Sequence, residues 1–309
     1  HQVCIKANRK LFVLRSVKLL NRKTLDLLYK ITVRSVIDYA LHVYHKNLKQ
    51  TDIARLEKLQ YRAAKIVTGA LHFTSKDKLN SELGWETILE RGDFLGLNIF
   101  HKIHLHETRP LIRKCMPQLD FEKKFETRSK GGYIPFKNYA NKFKTSFFPH
   151  ISGLWNSLPK QIQCKNLEDF KIYTKKELKP PKYKHFSSGT KHGNTLLTRI
   201  RVGRSFLNEH GFTIGLEDSP ECLCHFRSES PQHYFLDCFL YLLERQTLFT
   251  LIEHYVPSFP NWTKKKKLDL ILRGIHLDDP EFHSLNVTLT KAVQNFILNS
   301  NRFDSIETN

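Results

Sequence analysis

The sequence predicts a mainly α-helical protein: a helical bundle over residues 1–75, a basic helical connector over 76–190, and a small C-terminal helical module over 191–309 stapled by cysteines and a histidine. Three observations lead there. Of the 309 residues, 40% are hydrophobic, enough to bury a core and, at this length, to form more than one module. Apolar residues recur at helical spacing in three long segments. Three of the six cysteines crowd with a histidine into the seventeen residues from Cys222 to Cys238.

The first segment, residues 24–44, sets Leu25, Leu28, Val33, Val36, Ile37, Ala40 and Tyr44 near one helical stripe, with Thr24 as a candidate N-cap. After a polar break, a second helix starts at Thr51 or Asp52, buries Leu56, Leu59, Ala63, Ile66 and Val67, and stops at Gly69. Beside that stripe, Arg55, Lys58, Arg62 and Lys65 recur at spacings of three and four, a basic ridge able to follow a phosphate backbone. A plain surface helix balanced by Glu57 and nearby carboxylates is the competing reading. The third segment, Leu83 to His106, runs through Trp85, Ile88, Leu89, Phe94, Leu95, Leu97, Phe100 and Ile103 and reads as core packing. His101, His104 and His106 lie close together but lack neighbouring cysteines, so they too read as packing rather than ligands.

Residues 121–148 interleave basic side chains, among them Lys137, Lys142 and Lys144, with Tyr133, Phe136, Tyr139 and Phe143. Cations hold phosphates and flat rings stack on bases, so the mixture suits single strands or RNA; buried core aromatics are the alternative. The Lys-rich stretch 171–191 carries Pro180 and Pro181 and reads as a linker, because adjacent prolines break helices. A helix from Leu196 to Leu207 then offers Arg199, Arg201 and Arg204 as phosphate contacts.

Cys222, Cys224, His233 and Cys238 form a C-x-C-x8-H-x4-C arrangement. Three thiolates and one imidazole suit a closed tetrahedral zinc site, structural because no position is left for water. Three free buried cysteines beside a surface histidine would be the bland equivalent. His210 and His225 are nearby alternative ligands.

The net charge is +20, and its distribution is lopsided: residues 1–200 hold 39 basic against 16 acidic side chains, whereas residues from 201 on hold 11 against 14. That excess points to a polyanionic partner, RNA or DNA. The cysteine spacing is not a disulfide framework, and no apolar run is long enough to span a membrane, so an intracellular protein without a membrane partner is expected, nuclear or cytoplasmic. The chain opens on His1 rather than Met, which suggests part of a longer reading frame. There is no Gly-rich phosphate loop, no G-x-S-x-G and no H-E-x-x-H. Asp278 and Asp279 with Glu281 could in principle hold magnesium, but LDDPEF reads more easily as a turn.

Several blocks resemble the open reading frames of non-LTR retrotransposons of the jockey-like and related LINE groups. They are LDLLYKITVRSVIDYALHVYH (25–45), LEKLQYRAAKIVTG (56–69), LGW (83–85), FFPHISGLWNSLP (147–159), LLTRIRVGRSFLNEHGF (196–212) and CLCHFRSESPQHYFLDC (222–238). The resemblance implies a post-palm, thumb-like helical region gripping template and primer, a connector, and a C-terminal zinc knuckle. Carried over by position, Arg55, Lys58, Arg62 and Lys65 would face nucleic acid, and Cys222, Cys224, His233 and Cys238 would hold zinc. The family usually has Gly after the C-x-C where this chain has His225. The Tyr-x-Asp-Asp setting of a polymerase palm is absent, and two adjacent magnesium-binding carboxylates are what that chemistry needs. The expectation is a non-catalytic, nucleic-acid-binding C-terminal part of a LINE-type RNA-directed DNA polymerase. A decayed retrotransposon remnant and a C-terminal endonuclease are the alternatives.

Overall fold

In the computed structural model, residues 2–105, 110–119, 132–136, 141–178, 181–277 and 279–304 are described. The protein is mainly α-helical, as the periodicity requires. Among the described residues no strand forms, and a lone antiparallel bridge joins Leu119 and Tyr133. None of the described helices is long and apolar enough to cross a membrane. All six cysteines are free thiols.

The chain folds into two compact units that are not consecutive in sequence. One comprises residues 1–12, 29–60 and 84–181, the other 13–28, 61–83 and 182–309. The helix Gln50–Thr68 runs through the crossover at residues 60 and 61. It buries Leu56, Leu59, Ala63 and Val67 and ends at Gly69, whose φ of +67° glycine adopts without strain.

The core of the first unit is built on the helix Ile88–His104, which packs against Phe147–Ser157 and Leu167–Leu178 through Leu97, Phe100, Ile151, Trp155 and Phe170. Thr87 starts the first of these with a capping box: its hydroxyl accepts from Glu90 N, and Glu90 Oε2 accepts from Thr87 N at 2.8 Å. The region expected to be helical from Leu83 to His106 is helical only from Ile88 to His104, and Leu83 is the last residue of the preceding helix, Lys76–Leu83. His101 stacks on Phe170 at 4.0 Å, and His104 bonds Tyr133 Oη at 2.7 Å, so both are packing residues; His106 lies outside the described residues.

The segment expected as one helix over 24–44 is interrupted. Arg22–Leu28 passes into a π-helical turn, Tyr29–Arg34, and Ala40 at φ +54° breaks the chain before Leu41–Tyr44. The wider turn sets Tyr29, Val33 and Ile37 into the core, where Tyr29 stacks on Trp85 at 4.1 Å. The stretch 171–191 is corrected as well. Lys171, Lys175 and Lys176 belong to the helix Leu167–Leu178, which buries Phe170 and Thr174; Pro180 lies outside the described residues.

The second unit gathers the helices Lys191–Arg201, Leu242–Tyr255, Lys264–Arg273 and His283–Asn299 around one apolar core that includes Cys222 and Cys238. A buried ion cluster accompanies it. Glu82 accepts from Arg22 and from Arg201, each at 2.7 Å, with all three side chains at most 5% exposed.

Candidate metal centre

Cys222 and Cys224 sit on a tight turn closed by His225 N donating to Cys222 O and by Cys222 N donating to Phe226 O, at 2.8 and 3.0 Å. Its sharpness depends on His225 at φ +64°, a left-handed conformation that favours glycine. His233 and Cys238 bracket a π-helical turn, His233–Asp237, in which Cys238 N donates to His233 O at 2.8 Å. An i to i+5 bond closes this turn, so it aligns residues five apart where an α-helix would splay them.

The four ligand atoms lie within 4.8 Å of one another. Cys222 Sγ is 3.6 Å from Cys238 Sγ, and Cys224 Sγ is 3.2 Å from His233 Nε2. Such separations match the edges of a tetrahedron around an ion bound by sulfur at about 2.3 Å and nitrogen at about 2.0 Å. Cys222, His233 and Cys238 are buried, and Cys224 is half-buried. Burial pushes the Cys222 thiol up to about 12 and raises that of Cys238, while it lowers His233. Burial thus favours the protonated thiols of Cys222 and Cys238 and the neutral imidazole of His233 when no cation is bound, and a cation bound there must displace thiol protons.

An outer ring holds the ligands in place. Glu229, fully buried, lies 4.0 Å from Cys222 Sγ and accepts from Arg302 at 2.6 and 2.7 Å and from Asn208 N at 2.8 Å. Arg245 donates to Phe235 O and Cys238 O, placing a cation beside a ligand set that would carry excess negative charge. Phe226 stacks on the His233 ring at 4.3 Å and stays half exposed. The donor set and its spacing fit zinc.

His210 is not a ligand. Its Nδ1–H donates to Ser205 O at 2.7 Å and its Nε2 faces Arg204 at 3.0 Å. His225 stands outside the four-ligand group.

The expected phosphate-contact residues divide. Arg55, Lys58 and Arg62 are exposed along Gln50–Thr68, and Lys65 is half-buried over the Tyr61 ring at 4.9 Å. Arg55 pairs with Asp52 at 3.1 Å on the surface, a weak interaction. Arg201 requires correction: it donates to Glu82 inside the core at 2.7 Å, because a buried carboxylate there needs cations, and it has no path to a phosphate. Arg199 donates to Gly69 O at 2.9 Å, and Arg204 is half-buried. Lys144 is exposed; the side chain of Lys142 and the whole of Lys137 lie outside the described residues. Asp279 caps the turn Pro280–Phe282 by accepting from Glu281 N at 3.0 Å, and Asp278 lies outside the described residues. No protein-family profile, curated protein or solved structure matches the chain.

Proposed function

We propose that the chain is a nucleic-acid-binding, non-catalytic part of a LINE-type RNA-directed DNA polymerase, positioning RNA and DNA for target-primed reverse transcription, with zinc at the Cys222, Cys224, His233 and Cys238 centre as a structural ion. The observation that carries this reading is the exposed line of Arg55, Lys58 and Arg62 on one helix whose opposite stripe is buried, in a sequence whose first 200 residues hold 39 basic against 16 acidic side chains. Cations spaced three and four apart on a helix meet successive phosphates, and release of condensed counterions drives the association. The metal centre supports the reading because it ties four ligands from two turns into the core, a device for rigidity with no coordination position left for chemistry.

The test is a salt titration of binding to single-stranded RNA, single-stranded DNA and duplex DNA, with metal content determined on the same sample. Tight binding that weakens steeply with salt, together with one zinc per cysteine centre, is expected. Weak binding even at low salt overturns the reading and leaves the charge as a solubility device.

A further inference from the structure

We infer that His45, Asp93 and His150, in the first unit, form a separate site for a first-row divalent cation, with two imidazole nitrogens and one carboxylate oxygen as ligands. Three elements bring them together. His45 opens the turn His45–Asn47, Asp93 lies in Ile88–His104 and His150 in Phe147–Ser157. Nε2 of His45 is 2.8 Å and Nε2 of His150 is 2.6 Å from the same oxygen, Asp93 Oδ1. All three ligand atoms fall within 4.8 Å of one another. His150 and Asp93 remain 20% and 21% exposed, so water and ions reach the group.

The seat is built into the helix. A Cβ on Gly92 would lie 2.4 Å from His45 Cγ, and one on Gly96, a turn further on, 2.5 Å from Cδ1 of Ile151, the neighbour of His150. Glycine inside a helix costs about 1 kcal/mol relative to alanine. Here the two glycines flank Asp93 and let both histidine-bearing elements approach it.

The orientation of His45 fits a ligand. Its Nδ1 lies 3.1 Å from Leu41 O, so that nitrogen carries a proton and donates it. Nε2 is thereby turned to Asp93 Oδ1, 2.8 Å away, where either a proton or a metal ion can bridge nitrogen and carboxylate. Ligating histidines characteristically donate their other N–H to a backbone carbonyl, as Nδ1 does here. The second carboxylate oxygen, Oδ2, accepts from Lys46 at 3.0 Å, which leaves Oδ1 to the ion and moderates the site's charge. Ligand atoms now 2.6 and 2.8 Å apart would spread to roughly 3.3 Å around an ion with bonds near 2.0–2.1 Å, a movement the partly exposed His150 and Asp93 allow. An N2O set without sulfur suits zinc, cobalt, nickel or manganese, and three ligands leave a position open to water.

The probe is cobalt(II), titrated into the full chain carrying one equivalent of zinc. One further equivalent is expected, with weak visible absorption and no thiolate charge-transfer band. His150→Ala and Asp93→Asn should each lose it with helical circular dichroism unchanged, while Cys224→Ser keeps it and Lys46→Met binds it several-fold more tightly. The inference is overturned if the wild-type chain takes no second equivalent, in which case the three groups share only protons. It is equally overturned if His150→Ala binds as much cobalt as wild type. Should His150→Ala fail to fold, His150→Gln reads the same outcome, and a retained equivalent there also overturns the site.

Discussion

Glu82 is buried between two guanidiniums in the second unit, and its behaviour with pH follows from these partners. Burial alone would raise its pKa, but the guanidiniums of Arg201 and Arg22 outweigh this and hold the carboxyl below its ordinary value near 4.5. A depressed folded value means the stabilisation is fully present above pH 4.5 and lost as the pH falls through the folded value beneath it. Glu82→Gln, which leaves two buried arginines without their anion, should cost about 3–5 kcal/mol at pH 7 in urea unfolding. The gap from wild type should narrow below pH 4.5; an unchanged gap would mean that Glu82 is not the titrating partner. At His225 the expected sign is opposite. Its left-handed φ of +64° strains any side chain, so His225→Gly should raise the melting temperature of the zinc-loaded chain, equivalent to about 0.5–1 kcal/mol. Arg201 explains why residue-level reading from sequence has limits: its partner Glu82 stands 119 positions away, and nothing local distinguishes a core arginine from a phosphate contact.

At the scale of elements, legibility follows sequence distance too. The Gln50–Thr68 helix and its buried stripe are read directly, since periodicity and the terminal Gly69 are local signals. So is the cysteine and histidine spacing, whose four members span seventeen residues. The Thr87-x-x-Glu90 capping box is an equally local signal and divides the region 83–106 at its true boundary. Thr87→Ala should cost about 1 kcal/mol in thermal or urea unfolding, because it strands the Glu90 amide at the helix start. The π-helical turns at Tyr29–Arg34 and His233–Asp237 are not legible, since they arise where core packing overrides the 3.6-residue repeat. The same holds for the His45, Asp93 and His150 group, whose members lie 48 and 57 positions apart. On the exposed side of Gln50–Thr68, replacing Arg55, Lys58 and Arg62 together by alanine should lower the slope of log affinity against log salt by about 0.7–0.9 for each phosphate that is no longer neutralised. A slope that does not move would place the nucleic-acid interface elsewhere.

For the molecule as a whole, the decisive feature is that Cys222 and Cys238 are core residues of the second unit as well as members of the candidate metal centre. In a small isolated zinc module, metal binding and folding are nearly the same event, worth on the order of 10 kcal/mol. Here the same atoms pack with Leu196, Tyr234, Phe235 and Phe296, so part of the ordering is supplied by burial of apolar surface and persists without the ion. The expected result of chelation is therefore local loosening that spreads into one core. Amide exchange should rise first at residues 220–240, then across Leu242–Tyr255 and His283–Asn299. The core built on Leu97, Phe100, Trp155 and Phe170 contains none of the four ligands and should keep its protection. Acid should act as a chelator does. Protons compete for thiolates whose pKa burial already raises, so the ion is retained at neutral and alkaline pH and released as the pH falls. Uniform loss of protection throughout the chain on zinc removal would show that the two cores depend on a single metal-driven folding event. Unchanged exchange at residues 220–240 would show that packing alone holds the four ligands together.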